Sequence, residues 1–339
     1  MQLFLQQLVN GLTVGAVYAL IALGYTMVYG ILELINFAHG EIYMLGAYLG
    51  IIILGLLTAS GLTAVSLPLA IVITVVGAGV VCAAYGVTME KVAYKPLRDA
   101  PRLAPLISAM GMSIFLQNYV MLTRGPNDKV FPSVLPRKSL IFHGVEVTYL
   151  QIFIVAASVA LMAGLHLFIM KTRMGRAMRA TALDKKMAGL MGVNIDSVIS
   201  ITFILGSFLA AVAGVMVAMY YGLVNFYIGY LAGMKAFTAA VLGGIGNVPG
   251  AMLGGVLLGV LETLGAGYLW PEYKDAFAFL VLVLILILRP QGLLGERVPD
   301  KVCKKSALPP SGSASSPCRS PGCRRPLRSP SPSSPGACW

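Results

Sequence analysis

The sequence predicts an all-α polytopic membrane protein with about eight transmembrane helices plus one short or re-entrant helix. Three observations carry this. Of 339 residues, 58% are hydrophobic and only 11% charged, with a mean hydropathy of +0.83, against roughly 25% charged residues in a soluble domain. Stretches 1–32, 42–89, 103–123, 147–170, 197–234 and 236–261 hold no Asp, Glu, Lys or Arg, and a helical span needs only about 20 apolar residues. No stretch alternates apolar and polar residues with period two, so the spans are helices rather than barrel strands.

Taken in order, spans are expected at 8–30, 41–58, 65–88, 103–123, 148–170 and 197–220. The stretch 42–89 is long enough for two of them, split near Ser60-Gly61. A Gly-interrupted pair follows at 233–246 and 249–267, then a short span at 275–289. The first basic residue is Lys91, so the first span lacks the charged start of a cleavable leader and is expected to be retained.

Loops 90–102, 171–196 and 289–302 carry thirteen basic residues, whereas the alternate loops carry five: Arg124, Lys129, Arg137, Lys138 and Lys274. The positive-inside rule places the first set in the cytoplasm and the N-terminus outside. Loop 124–146, with four of those five, pulls the other way. Parity then requires an odd number of crossings after residue 232, so 233–267 is either two crossings or a re-entrant hairpin followed by one span.

The chain divides at about residue 302. The transmembrane domain covers 1–302; residues 303–339 are rich in Ser, Pro, Arg and Gly, with eight prolines, and are expected to be a disordered tail. Residues 301–339 hold seven basic residues and no acidic one, more than half of the +12 net charge. The charge therefore belongs to tail and loops, and no nucleic-acid partner is expected; the tail could instead touch anionic membrane lipid. Four of the five cysteines, Cys303, Cys318, Cys323 and Cys338, lie in that tail, leaving Cys82 in the membrane body.

Two breaks interrupt apolar sequence: Glu33-Leu34-Ile35-Asn36-Phe37-Ala38-His39-Gly40-Glu41, and Gly243-Gly244-Ile245-Gly246-Asn247-Val248-Pro249-Gly250. Broken helices in two halves of a transporter mark its pathway, because unwound backbone and helix ends can face a polar permeant. Asn36, His39, Glu41 and Asn247 are therefore pathway candidates; the alternative is that Asn36 and His39 satisfy freed backbone groups at a helix junction. Glu262 and Lys235 are the ionisable residues deepest in apolar sequence and join the candidates, Lys235 with the alternative of reaching to an interface. Tyr18, Tyr25, Gln117 and Asn118 read as polar contacts between helices. Gly46-x-x-x-Gly50, Gly206, Gly214, Gly250-x-x-x-Gly254-Gly255 and Gly259 read as close helix packing within the subunit before a dimer seam.

The loop 170–196 is cationic yet patterned. Gly175-Arg176-Ala177-Met178-Arg179-Ala180, then Asp184, Ala188 and Gly192-Val193-Asn194, can form a short helix with a small, partly apolar face. It is too polar to cross a bilayer and reads as a docking surface for a cytoplasmic partner. Such a partner is needed, because no Gly-x-x-x-x-Gly-Lys-Ser/Thr phosphate loop is present. No Gly-x-Ser-x-Gly, His-Glu-x-x-His or haem attachment motif occurs either, and His39, His143 and His166 have no metal-ligand spacing. Neither an enzyme nor a metal or other cofactor is expected.

Gly11-Leu12-Thr13-Val14-Gly15-Ala16-Val17-Tyr18-Ala19-Leu20, the Leu34 to Glu41 run, the loop 175–193, Gly243-Gly244-Ile245-Gly246-Asn247 and Arg289-Pro290-Gln291-Gly292-Leu293-Leu294-Gly295 occur in that order. Together they resemble the permease subunit of high-affinity branched-chain amino acid ABC importers, the LivH type, over about residues 1–302. The resemblance implies a multi-pass protein of the bacterial inner membrane that forms half of a pathway for leucine, isoleucine and valine. It implies a second homologous permease, two cytoplasmic ATP-binding subunits that hydrolyse the ATP, and a periplasmic amino acid-binding protein. It also matches Gly175, Arg176, Ala177, Arg179, Ala180, Asp184, Ala188 and Gly192 to the family's ATPase-coupling loop. The tail departs from the family, whose members end near residue 302. The rival reading is an autonomous ion-coupled amino acid carrier, in which Glu41, Glu262 or Lys235 would titrate during transport.

Overall fold

A computed structural model describes residues 2–98, 100–101, 103–132, 139–142, 144–268, 271–289 and 291–295. The expected tail 303–339, Arg102, Arg137, Lys138, His143, Pro290, Arg297 and Lys301 lie outside the described residues.

The axis of the bundle is α1 (Gln2–Leu32). It is apolar on every side rather than along one stripe, the signature of a helix surrounded by protein, and it is buried without interruption from Thr13 to Val28. Next come α2 (His39–Ala59), the single turn α3 (Leu62–Val65) and α4 (Leu67–Met89). α4 runs on into a π-helical turn, Glu90–Tyr94, and a 3-10 turn, Lys95–Leu97. α5 (Leu103–Arg124) is peripheral, with Ile107, Ile114, Phe115 and Leu122 facing outward. So much exposed apolar surface is stable only against hydrocarbon.

Only helices were expected, but the connection after α5 holds short strands. β1 (Lys129–Val130) is followed by an antiparallel hairpin of β2 (Ser139–Phe142) and β3 (Val145–Thr148), with Ser139 opposite Thr148 and Phe142 opposite Val145. Val145, Val147 and Thr148 are β-branched and favour the pleat, and the strands sit beyond the helix ends, where apolar-span reasoning has no reach. Gln6 clamps the hairpin, donating to the Glu146 carbonyl at 2.9 Å and accepting from its N–H at 2.8 Å.

α6 (Tyr149–Lys171) starts in a capping box of Thr148 and Gln151. The surface helices α7 (Arg173–Leu183) and α8 (Lys185–Leu190) precede α9 (Ile195–Tyr221). β4 (Leu223–Val224) pairs antiparallel with β1, and then come α10 (Ile228–Gly243), α11 (Val248–Tyr268) and α12 (Lys274–Leu288). Seven described helices are long and apolar enough to cross a membrane, α4 being counted with its continuation to Leu97. α10 has 16 residues, about 24 Å of helix against a hydrocarbon core of about 30 Å.

Glycines draw the central helices together. On α1, Gly11, Gly15 and Ala19 meet Thr263, Gly259 and Gly255 of α11, and a Cβ on Gly259 would lie 2.3 Å from Gly15 Cα. On α2, a Cβ at Gly46 would lie 2.5 Å from Ala211 Cα of α9. The small-residue spacing thus serves contacts inside one subunit, where backbone-to-backbone approach replaces the hydrophobic drive that lipid does not supply.

The three basic segments gather at one end of the bundle. Lys95 reaches Asp196 at 3.0 Å, Lys185 donates to the Leu32 carbonyl at 3.3 Å, and Leu293 donates its N–H to the Leu242 carbonyl at 2.8 Å. The hairpin, β1 and β4 lie at the other end.

Candidate translocation path and docking surface

α1 stops at Leu32 because Glu33 adopts φ +58°, the one non-glycine residue with positive φ among those described. Its N–H still bonds the Tyr29 carbonyl at 2.7 Å, making a left-handed helix stop that normally falls to glycine. The unwound segment is 33–38, so His39 and Glu41 belong to the first turn of α2 rather than to the break. The side chain of Asn36 does not serve the broken backbone: its Oδ1 accepts from the Tyr94 hydroxyl at 2.6 Å. His39 stacks edge-on against Tyr25 at 4.9 Å and fills the space over Gly24, where a Cβ would lie 2.2 Å from its Nε2. Glu41 Oε1 accepts from Ser113 of α5 at 3.0 Å. Asn36 Nδ2, His39 Nε2 and Glu41 Oε2 are buried without a hydrogen-bond partner among the described residues.

The partner of this break is one that sequence reading missed. Glu33-Leu34-Ile35-Asn36-Phe37-Ala38-His39-Gly40 is matched, position for position, by Gly222-Leu223-Val224-Asn225-Phe226-Tyr227-Ile228-Gly229 between α9 and α10. The backbones repeat as well. Glu33 and Gly222 both have positive φ, and the carbonyls of Asn36 and Asn225 accept from His39 N–H at 3.1 Å and Ile228 N–H at 3.4 Å. The two new helices cross at their starts, where a Cβ on Gly40 would lie 2.4 Å from the Gly229 carbonyl oxygen and one on Gly229 would lie 2.6 Å from Glu41 Oε2. The shared Leu-Ile/Val-Asn-Phe-x-x-Gly is legible in the sequence, though it lacks the run of glycines that marks Gly243–Gly250 as an interruption.

That glycine-rich segment has another job. Gly244 packs on Gly292 and Gly295, with a Cβ on Gly292 only 2.5 Å from Gly244 N, and Leu294 donates its N–H to the Gly243 carbonyl at 3.1 Å. Two of the five motif runs therefore exist to fit each other. Asn247 is engaged in the same joint, donating to the Leu294 carbonyl at 2.7 Å and accepting from Gly250 N–H at 3.4 Å. An apolar pocket lined by Tyr25, Tyr29, Ile35, Phe237, Ala240 and Ile245 lies between the two segments that sequence reading singled out.

Lys235 and Glu262 pair inside the bundle at 2.7 Å. Asp275, at the start of α12, reaches the same ammonium at 2.5 Å, and the Tyr18 hydroxyl lies 3.4 Å from Glu262 Oε1. Four helices, α1, α10, α11 and α12, meet at this cluster. Asp275 was not a sequence candidate, since it opens a span forty residues away from Lys235.

In the cationic loop most of the singled-out residues build the loop. Thr172 caps α7 by accepting from Gly175 N–H at 3.0 Å, and a Cβ on Gly175 would lie 2.2 Å from the Ile169 carbonyl oxygen. Arg179 donates to that same carbonyl at 2.6 Å. Asp184 caps α8, accepting from Lys186 and Met187 N–H at 2.8 and 3.1 Å. Ala188 is buried, and Gly192 at φ +82° closes α8, with Val193 N–H bonding the Ala188 carbonyl at 3.1 Å and Gly192 N–H bonding Gly189 at 3.0 Å. Arg176 and Ala180 are exposed and Ala177 is half-buried. The residues that project are ones not singled out: Leu183, Met187, Leu190 and Met191, 90%, 60%, 82% and 85% exposed. They come from the end of α7 and from α8 with its C-cap, on either side of the extended Asp184.

A multi-pass helical bundle with two matching helix breaks whose following helices cross, and with a helical loop at one end, has the architecture of the membrane subunit of a transport system. Residues 7–286 match the family model described as branched-chain amino acid transport system / permease component, and the chain belongs to that family. It is 53% identical over 303 residues to the high-affinity branched-chain amino acid transport system permease protein BraD of Pseudomonas aeruginosa, covering 88% of this chain and 98% of that one. To the corresponding protein LivH of Escherichia coli K12 it is 51% identical over the same coverage. A probable branched-chain amino acid transport permease LivH of Methanocaldococcus jannaschii is 26% identical over 81% of this chain and 88% of its own length. The expected family, fold class and multi-pass inner-membrane location hold.

Proposed function

We infer that this chain is the permease subunit of an ATP-driven importer of branched-chain amino acids, forming half of the translocation path for leucine, isoleucine and valine. It works with a second homologous permease, two cytoplasmic ATP-binding subunits and a periplasmic amino acid-binding protein. The names of its close relatives support the substrate class. The observation that carries the coupling is the exposed row of Leu183, Met187, Leu190 and Met191 on a polar, well-capped helix pair. Apolar side chains so placed favour burial in a partner, at roughly 25 cal/mol per Å² covered. The docking face is therefore these four residues, held in place by Gly175, Asp184, Ala188 and Gly192. The path runs by Asn36, His39 and Glu41, whose unpartnered buried polar atoms each cost about 1–3 kcal/mol unless a permeant or water meets them.

The test is uptake of radiolabelled leucine into proteoliposomes containing the assembled transporter, with proton and sodium gradients collapsed and ATP enclosed. Uptake that follows ATP and needs the binding protein is expected. Uptake that follows an ion gradient and ignores ATP would replace this reading with the ion-coupled carrier, for which the Lys235, Glu262 and Asp275 cluster would be the centre.

A further inference from the structure

The break at 33–38 is tied to the docking loop by two separate contacts. The first is direct: Lys185, in the first turn of α8, donates to the carbonyl of Leu32 at 3.3 Å, the last residue of α1 before the break. A cation at a helix C-terminus satisfies an orphan carbonyl and complements the helix dipole. The second runs through the π-helical turn. Glu90 opens that turn and is buried; its Oε1 pairs with Arg98 and its Oε2 accepts from the Ser200 hydroxyl at 3.1 Å. Arg98 and Lys95 both pair with Asp196, which lies on the first turn of α9, directly after the loop. Tyr94 closes the same turn; its ring packs on Phe203 of α9 at 5.4 Å, and its hydroxyl donates to Asn36 in the middle of the break at 2.6 Å. A single turn is thus fastened at one end to the root of the docking loop and at the other to the break.

We propose that Tyr94 and Lys185 are positioning residues that couple movement of the docking loop to the α1–α2 break, and that the π-helical turn is the connecting piece. A π turn is a rare, locally strained departure from the α-helix, concentrated at functional sites. It is held here by Glu90 and Tyr94, so displacement of Asp196 and Ser200 at the root of the loop shifts the turn as a unit. Glu33, kept at φ +58° beside Leu32, stores backbone strain in the segment being moved. A shift of Asn36 is passed within three residues to His39 and within five to Glu41. This inference rests on the ATP-driven reading above.

Spatial continuity alone does not prove energetic coupling, so the experiment measures leucine taken up per ATP hydrolysed by the assembled transporter in proteoliposomes. Tyr94→Phe keeps the ring on Phe203 and removes only the hydroxyl. It is expected to assemble and hydrolyse ATP as the parent does while uptake per ATP falls about three- to tenfold, the range of one lost hydrogen bond. Lys185→Met is expected to do the same and Lys185→Arg, which retains a donor, to restore coupling. Combined, Tyr94→Phe and Lys185→Met should fall short of the product of their separate effects, because both act on one segment. Unchanged uptake per ATP in both single variants overturns the proposal, as does a parallel fall in assembly, hydrolysis and uptake, which marks a merely structural role. If Tyr94→Phe fails to assemble, Lys185→Met decides alone, its side chain being half-exposed. Failure of the parent itself to use ATP would refute the functional reading instead.

Discussion

The two helix breaks have the same eight-residue plan, yet they are held differently. At 222–229 the turn residue is Gly222, for which φ +73° carries no Cβ penalty, and Asn225 folds its side chain onto its own loop, accepting from Tyr227 N–H at 3.1 Å. At 33–40 the same conformation is forced on Glu33, and the side chain of Asn36 is committed to Tyr94 on another helix. The first break is strained at Glu33 and held by a side chain of another helix; the second has no Cβ penalty at its turn, keeps its Asn side chain on its own loop, and is held by backbone pairing of Leu223 and Val224 with β1. The first lies at the end of the bundle that bears the docking loop; the second lies at the far end and includes β4 of the small β1–β4 pairing. In the coupling proposed above, one local fold serves twice, as the moving joint at 33–38 and as the fixed one at 222–227.

On this proposal the largest effect comes from the exposed apolar residues of the docking loop. Leu190→Glu with Met191→Glu would place two charges where a partner covers apolar surface, an unpaired burial expected to weaken association with the ATP-binding subunit at least about 100-fold. Copurification at graded partner concentration measures this, with membrane insertion as the control. Lys129→Glu, beside the relaxed break, should leave association unchanged. Equal losses at both ends would erase the distinction between the two joints.

Next in size is the contact where the breaks meet. Gly40→Ala puts a Cβ against the Gly229 carbonyl and Gly229→Ala puts one against the Glu41 carboxylate and the Gly40 carbonyl; the carboxylate can turn aside, but the backbone carbonyl on each side cannot. Each substitution is expected to destabilise by about 1–3 kcal/mol, read as a lowered thermal midpoint of the purified protein in both variants. A large loss at one glycine and none at the other would show that the crossing is not shared.

Spans were the legible part of this sequence. The expected 103–123, 148–170 and 197–220 became Leu103–Arg124, Tyr149–Lys171 and Ile195–Tyr221, because the length of a charge-free run and the length of a membrane helix answer to the same hydrocarbon thickness. α1 began six residues before its expected start, since Gln2, Gln6 and Gln7 are polar yet have partners in the hairpin, in α11 or nearby. What sequence could not show depends on residues brought together from afar. Asn247 was expected to face a pathway; its bond to the Leu294 carbonyl, nearly fifty residues on, is a contact that no local pattern announces. The π turn has no local code, as Glu90 and Tyr94 are ordinary helix residues until Arg98, Ser200 and Asn36 hold them. In the docking loop the glycines and Asp184 were conspicuous, and these shape the loop; the exposed Leu and Met side chains were inconspicuous because apolar residues are everywhere in such a chain.

The smallest effect is the most direct test of strain. Gly222 has open space around its Cβ position, so Gly222→Ala introduces only the left-handed backbone penalty of about 1–2 kcal/mol, less what alanine saves by restricting the unfolded chain, about 0.4–1 kcal/mol. The net preference for glycine there should be about 1 kcal/mol. At position 33 glycine and alanine can be compared with each other, which cancels the loss of the glutamate side chain common to both variants. If φ is held at +58° in the membrane-embedded protein, Glu33→Gly should exceed Glu33→Ala in thermal stability by the same ~1 kcal/mol. Yet it should not transport better: freeing the turn relieves strain that the docking loop works against, so uptake per ATP in Glu33→Gly should be below that of the parent. Equal stability of the two variants at position 33 would mean that the first break is as relaxed as the second, and the contrast between a moving joint and a fixed one would lose its physical basis.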